Sequence, residues 1–309
     1  MTLPPEYLRY PHRHAGMDHG RYQYSNLFSR KPVEWPGGAR IALWIVPILE
    51  YFPLDMSGAP FRPPGGMERP YPDYWNYTLR DYGTRVGAFR VFAALDRRGL
   101  KASVAMSARL AQRHPGLVER VTKRGWELVA HGLDMGRLHH GALAADEERR
   151  MVAESFDILR NVSGQPVEGW SSPAYSESFT TPDLVAEAGG RWICDWINDD
   201  LPYEFATRAG TIHAMPLGFE ATDLQIFHNY RQRPGQYVEQ IVDHVRSLHR
   251  EAERHGGRVV TIAVRPWIIG VPHRIGAFEE ALDRVLALPG VWNATGGEIL
   301  AAWRAQQSQ

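Results

Sequence analysis

The chain has 309 residues, 44% of them hydrophobic, and its 35 basic and 35 acidic side chains give a formal net charge of zero. This balance excludes a strongly basic surface for nucleic acid or anionic lipid, and the length suits one large α/β domain or two small ones. The single cysteine, Cys194, excludes an internal disulfide framework and a multi-cysteine zinc site.

The amino-terminal stretch MTLPPEYLRYPHRHAG lacks the apolar segment of a secretory signal. No apolar run approaches the ~20 residues that a membrane helix needs. We therefore expect a cytoplasmic protein with neither a membrane nor a nucleic-acid partner.

Two segments are predicted to be irregular. Residues 1–38 are rich in Pro, Tyr, Arg and His without any period, which predicts an arm laid over the body or a subunit contact, and hence a homo-oligomer. Residues 53–76 carry many Pro, Gly and aromatic residues and predict a long loop of the lid or binding type.

Apolar and β-branched segments predict eight strands. They cover residues 40–46, 102–106, 128–130, 167–170, 192–194, 211–215, 258–264 and 291–293. Apolar residues at helical spacing predict helices between most of them, over residues 81–95, 110–123, 146–159, 181–189, 236–254 and 278–288. A capping box, Thr295 to Glu298, opens a final helix.

Strands that alternate with helices predict an α/β fold. We expect residues 39–309 to form a single distorted (β/α) barrel of seven to eight mainly parallel strands, with the helices outside. In such barrels the active site lies at the carboxyl ends of the strands. The residues at those ends are therefore the candidates for chemistry.

Polar or ionisable residues follow most of the predicted strands. His131 ends the third strand and opens the loop of the stretch WELVAHGLDMGRLHH, while Glu50, Asp195 and Arg265 follow other strands. We predict catalytic roles for these four residues. His131 could instead be a hydrogen-bonded core histidine, Glu50 could pair with an arginine of the helix that follows, and Asp195 could pair with Arg265.

Aromatic and hydroxyl side chains near the same strand ends suit a small, flat, polar ring. We predict substrate contacts for Trp170, Ser172, Trp196 and Trp267.

Five stretches of the chain resemble one known family. They are EWPGGARIALWIV (34–46), WELVAHG (126–132), GWSSPAYSESFTTPDLVAEAG (169–189), CDWINDDLPY (194–203) and AVRPWIIGVPHRI (263–275). In this order they resemble the polysaccharide deacetylase superfamily (carbohydrate esterase 4, nodulation-factor deacetylase-like), and most of all its allantoinase-like and cyclic-imide-hydrolase-like branch. The resemblance implies the distorted barrel and hydrolysis of a C–N bond.

The best-known members of that superfamily bind a metal with an Asp pair and two histidines, and use a late-strand histidine as the acid. Their positions fall here on Val46, Pro47, His131, Met135 and, for the late histidine, Arg265. Only His131 remains of them. The resemblance therefore leaves two possibilities for a cofactor, either none or one divalent metal such as zinc at a rearranged site.

Such a rearranged site would be built on His131 with partners such as His140 and Glu50. The resemblance also implies that His273, within the motif GVPHR, contacts substrate. Arg265 cannot shuttle a proton as a histidine would, but it can stabilise an oxyanion.

These observations predict a hydrolase that attacks the amide or imide of a small cyclic substrate, of the allantoin, hydantoin or cyclic-imide type. Glu50 or His131 would activate water, and Arg265 would stabilise the tetrahedral oxyanion. A sugar N-deacetylase is one alternative. The other is a barrel that has lost catalysis and acts as a binding or assembly protein.

Overall fold

A computed structural model describes residues 19–55 and 72–307. It contains nine strands: β1 (Ile41–Leu49), β2 (Ser103–Met106), β3 (Glu127–Ala130), β4 (Gly169–Trp170), β5 (Trp192–Ile193), β6 (Tyr203–Thr207), β7 (Gly210–Ala214), β8 (Arg258–Val264) and β9 (Val291–Asn293). Its α-helices are α1 (Tyr74–Tyr82), α2 (Ala88–Asp96), α3 (Ala108–Arg113), α4 (Pro115–Thr122), α5 (Ala145–Ser163), α6 (Thr181–Glu187), α7 (Pro234–His255), α8 (Pro266–Ile269), α9 (Ile275–Leu286) and α10 (Gly296–Gln307). None of these helices is long and apolar enough to cross a membrane.

The strands form one curled sheet in the order β6-β7-β5-β4-β3-β2-β1-β8. Strand β9 pairs with the first residues of β1, whereas β2 pairs with its last residues, so that β1 has three partner strands including β8. Every pairing is parallel except that of β6 with β7. The carboxyl ends of the parallel strands therefore meet at one edge.

This architecture confirms the predicted α/β fold with a mainly parallel, barrel-like sheet. The prediction of seven to eight strands is too low, because the antiparallel strand β6 (Tyr203–Thr207) was missed. Four of its five residues are at least partly exposed, so the segment lacks the apolar run by which the other strands were identified.

The core has two layers that follow from the alternation of side chains along the strands. One set packs outward beneath the helices, for example Ile41, Leu43 and Ile45 of β1. The other set fills the inside of the curl, where Trp44 and Trp192 meet edge to face at 5.7 Å. Apolar residues of α10 belong to this inner layer, so the helix closes one side of the barrel.

The structure describes only a part of each of the two segments that were predicted to be irregular. Residues 19–38 lie against the body, where Arg21 binds Asp183 with Nη1···Oδ1 of 2.6 Å and donates to the carbonyl oxygen of Phe179. Residues 1–18 lie outside the described part. Of the predicted loop, residues 56–71 also lie outside it, and Asp73 caps a helix that begins at Tyr74, so this loop was predicted too long.

A five-residue π-helical segment, Gly83–Gly87, joins α1 to α2 and packs directly on α8. A Cβ at Gly87 would lie 2.1 Å from the carbonyl oxygen of Pro266, and one at Gly83 would lie 2.7 Å from Trp267. This close approach sets the position of α8, and therefore of the residues that follow β8.

Candidate active site

The ends of β3 and β4 place His131 beside Ser171. The Ser171 N–H donates to the carbonyl oxygen of Ala130 at 2.8 Å and so continues the ladder beyond β4. The chain turns immediately after His131 at Gly132, with a φ of 59°, and a Cβ there would lie 2.3 Å from the ring of Pro173. Glycine is needed at this position for both reasons.

His131 is buried in one defined tautomer. Its Nδ1 lies 2.9 Å from the carbonyl oxygen of Ser171, which can only accept, so Nδ1 carries the proton and Nε2 has the lone pair. Burial lowers the pKa of His131 to about 4, with the charge of Glu50 opposing the shift and that of Arg265 adding to it. Among the described residues, none offers Nε2 a hydrogen bond.

Glu50 is held by two donors and does not face water. Its Oε1 accepts from Nε of Arg265 at 3.2 Å, and its Oε2 accepts from the indole N–H of Trp267 at 2.9 Å. The side chains of Glu50 and Arg265 are only 4% and 5% exposed. Glu50 is therefore the fixed counter-charge of a buried guanidinium.

Arg265 also contacts a second acidic residue, Asp223. Its backbone N–H donates to Oδ2 of Asp223 at 2.7 Å, and burial raises the pKa of that carboxyl to about 7. Burial also works against the charge of Arg265, but Glu50, Tyr175 and Asp223 together raise the pKa of the guanidinium. Its Nη1 is buried and has no partner within the described residues.

Tyr175 is a buried tyrosine near both the guanidinium and a carboxyl group. Burial raises the pKa of its phenol, with the charge of Arg265 opposing the shift and that of Asp195 adding to it. The backbone reaches this place through two successive left-handed residues, Ala174 at φ 55° and Tyr175 at φ 56°. Two strained non-glycine residues in a row are typical of a segment held for function.

Asp195 belongs to a neighbouring pair of carboxyl groups. The N–H of Ser172 donates to both of its oxygens, at 2.8 and 3.0 Å. The other carboxyl group is that of Glu177, whose Oε2 accepts from the indole N–H of Trp196 at 2.9 Å. Burial and the Asp195 charge raise the pKa of Glu177.

One peptide group connects the two parts of this site. The carbonyl of Ser171 binds His131, and the N–H of the same peptide, which belongs to Ser172, binds Asp195. The structure thus brings together the four residues predicted to be catalytic. His131 lies within electrostatic reach of Glu50 and Arg265, and Asp195 is joined to them through the peptide and Tyr175.

The residues predicted to bind substrate lie in different places. Trp170 is fully buried among Phe156 and His139, so the expected substrate contact does not fit its position in the core. Ser172 is also fully buried and its hydroxyl accepts from the Trp170 indole at 2.8 Å, although its N–H faces the site.

The remaining three predicted contacts divide between the site and the surface. Trp196 and Trp267 donate to Glu177 and Glu50 and so line the site. His273 is exposed in the turn before α9 and has no hydrogen bond to any of these groups, so the substrate contact implied for it is not supported.

The rearranged metal site does not form from the residues that the structure describes. The loop after β3 turns His139 towards Glu148, with Nδ1···Oε1 of 3.2 Å, and leaves His140 exposed. Glu50 is engaged as described above. No group of three or more His, Cys, Asp or Glu side chains suited to a metal occurs in residues 19–55 and 72–307. A guanidinium beside His131 would moreover repel a divalent cation, so these residues do not fit one.

Three residues of the site were not predicted from the sequence: Tyr175, Glu177 and Asp223. Tyr175 and Glu177 lie several residues beyond the end of β4, and Asp223 follows no strand, so none of them is marked by a strand end. The motif SSPAYSE carried a weak signal, since it places a tyrosine and a glutamate in the loop directly after a strand.

Part of the chain is similar to a known protein family. The model of the polysaccharide deacetylase family matches residues 76–193, which include β2 to β5 and His131. Over these residues the chain is similar to the polysaccharide deacetylase family. The resemblance found in the sequence is thereby confirmed, as is the prediction of a hydrolase of this superfamily in its general form.

Several known proteins are similar to this chain over most of its length. A curated protein of Schizosaccharomyces pombe (strain 972 / ATCC 24843), whose assignment as a polysaccharide deacetylase is itself an inference, is 20% identical over 290 residues, 87% of each chain. The crystal structure of PuuE allantoinase matches 93% of this chain and 100% of its own, with a TM-score of 0.79 and 23% identity. A probable polysaccharide deacetylase from Pseudomonas aeruginosa PAO1 matches 92% and 99%, with a TM-score of 0.77 and 23% identity.

Proposed function

We propose that the protein hydrolyses the amide or imide C–N bond of a small cyclic molecule. The observation that carries this proposal is the tautomer of His131, a buried neutral imidazole whose Nε2 lone pair has no hydrogen-bond partner among the described residues. An imidazole held in this way is suited to remove a proton from water.

The same site supplies donors for the charge that develops on the carbonyl oxygen. Nη1 of Arg265 and the hydroxyl of Tyr175 are buried polar atoms that lie side by side without another described partner. Donors fixed in this way, shielded from water, stabilise a tetrahedral oxyanion strongly. Glu50 does not act as the base in this scheme, because both of its oxygens are engaged; it orients Arg265.

Two features support a small ring as the substrate. The site is lined by the indoles of Trp196 and Trp267 and by deeply buried polar groups, which suit a compact planar molecule. A protein with the same fold over almost the whole chain is an allantoinase. A sugar N-deacetylase is the second candidate, favoured by the family that matches residues 76–193.

The test is a hydrolysis panel of allantoin, hydantoins, cyclic imides and N-acetyl sugars, with wild type and His131→Asn. The substitution should lower kcat/KM about 10²–10⁴-fold because the base is lost. His255→Asn is the matched control, since His255 ends α7 at the amino-terminal side of β8 and packs on Phe28. Turnover of N-acetyl sugars alone would favour the deacetylase, and no turnover of any compound would favour the non-catalytic alternative.

A further inference from the structure

A cavity that the proposed hydrolysis does not use lies beside the amino-terminal segment. Its volume is about 520 Å³, and it is lined by residues of three segments: 22–33, 198–203 and the last turns of α10. The catalytic candidates His131, Glu50 and Arg265 are not among its lining residues. A volume of this size is within the range of pockets that bind small molecules.

Hydrogen bonds between two of these segments hold the wall of the cavity in place. Nδ2 of Asn198 donates to the Tyr22 hydroxyl at 2.7 Å, and the Tyr203 hydroxyl donates to Oδ1 of Asn198 at 2.7 Å. The Arg30 guanidinium binds Asp199, with Nη1···Oδ1 of 2.6 Å. The amino-terminal segment and the residues after β5 are therefore fixed to each other, and the cavity between them is preformed.

Aromatic side chains from all three segments line the cavity. The rings of Tyr22 and Tyr203 meet edge to face with their centroids 5.0 Å apart, and Trp303 adds an indole from α10. Trp303 is only 8% exposed, and its indole N–H donates to no atom of the described residues. A flat aromatic ring that carries a polar group suits walls of this kind.

One positive charge at the cavity has no counter-charge. The charged residues that line it are Arg30, Lys31 and Asp199. Asp199 neutralises Arg30, since its second oxygen lies 2.5 Å from Nη2. Lys31 has neither an ion pair nor a side-chain hydrogen bond with any described residue. A ligand with a single negative charge therefore complements the cavity.

We propose that this cavity is a second binding site, which takes an aromatic ring that carries one carboxylate. The ring lies against Tyr22, Tyr203 and Trp303, and the carboxylate binds Nζ of Lys31. A phosphomonoester is disfavoured, because it brings close to two negative charges to a cavity with one unpaired cation. The inference stands on the cavity and its charges, so it does not depend on the proposed function.

The test measures the affinities of 2-naphthoate and of its uncharged analogue 2-naphthamide by isothermal titration. Wild type should bind 2-naphthoate about tenfold more tightly than 2-naphthamide, and Lys31→Gln should remove that difference. Lys123→Gln is the matched control, because Lys123 pairs with Glu119 and does not line the cavity. Equal affinities of wild type for the two compounds, or a preference that survives in Lys31→Gln, overturn the proposal.

A variant that fills the cavity tests the location. Gln23 is exposed, lines the cavity and makes no side-chain hydrogen bond with a described residue, so Gln23→Trp should leave the fold intact. The new ring should weaken both compounds at least tenfold, whereas His131→Asn should bind them as wild type does. Unchanged binding in Gln23→Trp, or its loss in His131→Asn, places the ligand elsewhere and overturns the proposal.

Trp303 provides a direct spectroscopic signal. Its indole N–H resonance is the one that disappears from ¹H–¹⁵N spectra in Trp303→Phe. Addition of 2-naphthoate should shift this resonance in wild type and in Lys123→Gln. A Trp303 resonance that stays in place while 2-naphthoate binds contradicts the proposed position of the ring.

Discussion

His131 differs from an ordinary surface histidine in the pH at which it gains a proton. Burial lowers its pKa to about 4, whereas an unperturbed histidine titrates near 6.5. The base is therefore neutral throughout the range above about pH 4. We expect kcat/KM for amide hydrolysis to stay level from neutral pH down to about 5 and to fall only near 4. A fall centred near pH 6.5 in the rate profile would count against His131 as the base.

The same shift affects stability with a defined sign. The unfolded chain takes up a proton on this histidine near pH 6.5, but the folded protein does so only near 4. The contribution of His131 to the free energy of unfolding is thus fully present above 6.5 and is lost as the pH falls towards 4. Urea titrations of wild type and His131→Asn across this window should converge towards the acid side.

The buried pair of Glu50 and Arg265 should be strongly coupled. Removing one partner leaves an unpaired charge in the interior, so Glu50→Gln or Arg265→Gln should each cost about 3–5 kcal/mol of unfolding free energy. The double variant should cost clearly less than the sum. The exposed pair of Arg40 and Glu253 is the control, where Glu253→Gln should change stability by less than about 1 kcal/mol. Additive losses at the buried pair would show that the charges do not depend on each other.

At the residue scale, the sequence predicts a residue of the site well when that residue directly follows a parallel strand. His131, Glu50 and Arg265 directly follow the parallel strands β3, β1 and β8, and parallel strands end at one edge. Tyr175 reaches the site through left-handed backbone instead, and no local pattern reveals that two non-glycine residues will adopt it. The use of Glu50 as a counter-charge also depends on a partner 215 residues away.

At the scale of elements, the contact between the π-helical segment and α8 controls the position of Arg265. Gly87→Ala would force its Cβ against the Pro266 carbonyl and displace α8, costing roughly 1–3 kcal/mol and lowering hydrolysis as well. Gly276→Ala is the control, because that helical position in α9 has open space and alanine should be neutral or stabilising there. The melting temperature and kcat/KM of both variants measure these effects. An unaffected rate in Gly87→Ala would show that α8 does not position the site.

Helix and strand boundaries that depend on neighbouring residues in the sequence could be predicted. Boundaries that depend on contacts with distant parts of the chain could not. The capping box of α10 forms as its sequence predicts, with the Thr295 N–H bound to Glu298 at 2.9 Å. Strand β1, in contrast, continues past Pro47 to Leu49, because β2 pairs with its last two residues. Neither that extension nor strand β6 is encoded in a run of nearby residues.

At the scale of the whole molecule, the barrel is held together at the end opposite to the site. Glu127, which opens β3, accepts from the Ser103 hydroxyl at 2.6 Å and from the Gly297 N–H at 3.1 Å. The Trp44 indole donates to the same hydroxyl at 2.8 Å. A single carboxyl group thus ties the sheet to the start of α10, which closes the inner core.

This carboxyl group makes the stability of the barrel depend on pH in the direction opposite to His131. Burial raises the pKa of Glu127 to about 7, whereas in the unfolded chain it titrates near 4.5. Between these values the folded state holds a proton that the unfolded state has lost, so this contribution to stability decreases as pH rises from 4.5 to 7. Glu127→Gln should therefore gain stability relative to wild type over that window, by up to about 1.4 kcal/mol per pH unit. Denaturant titrations of the two proteins at pH 5, 6, 7 and 8 measure this difference, which should level off above 7; a constant difference would mean that Glu127 is ionised in the folded barrel throughout.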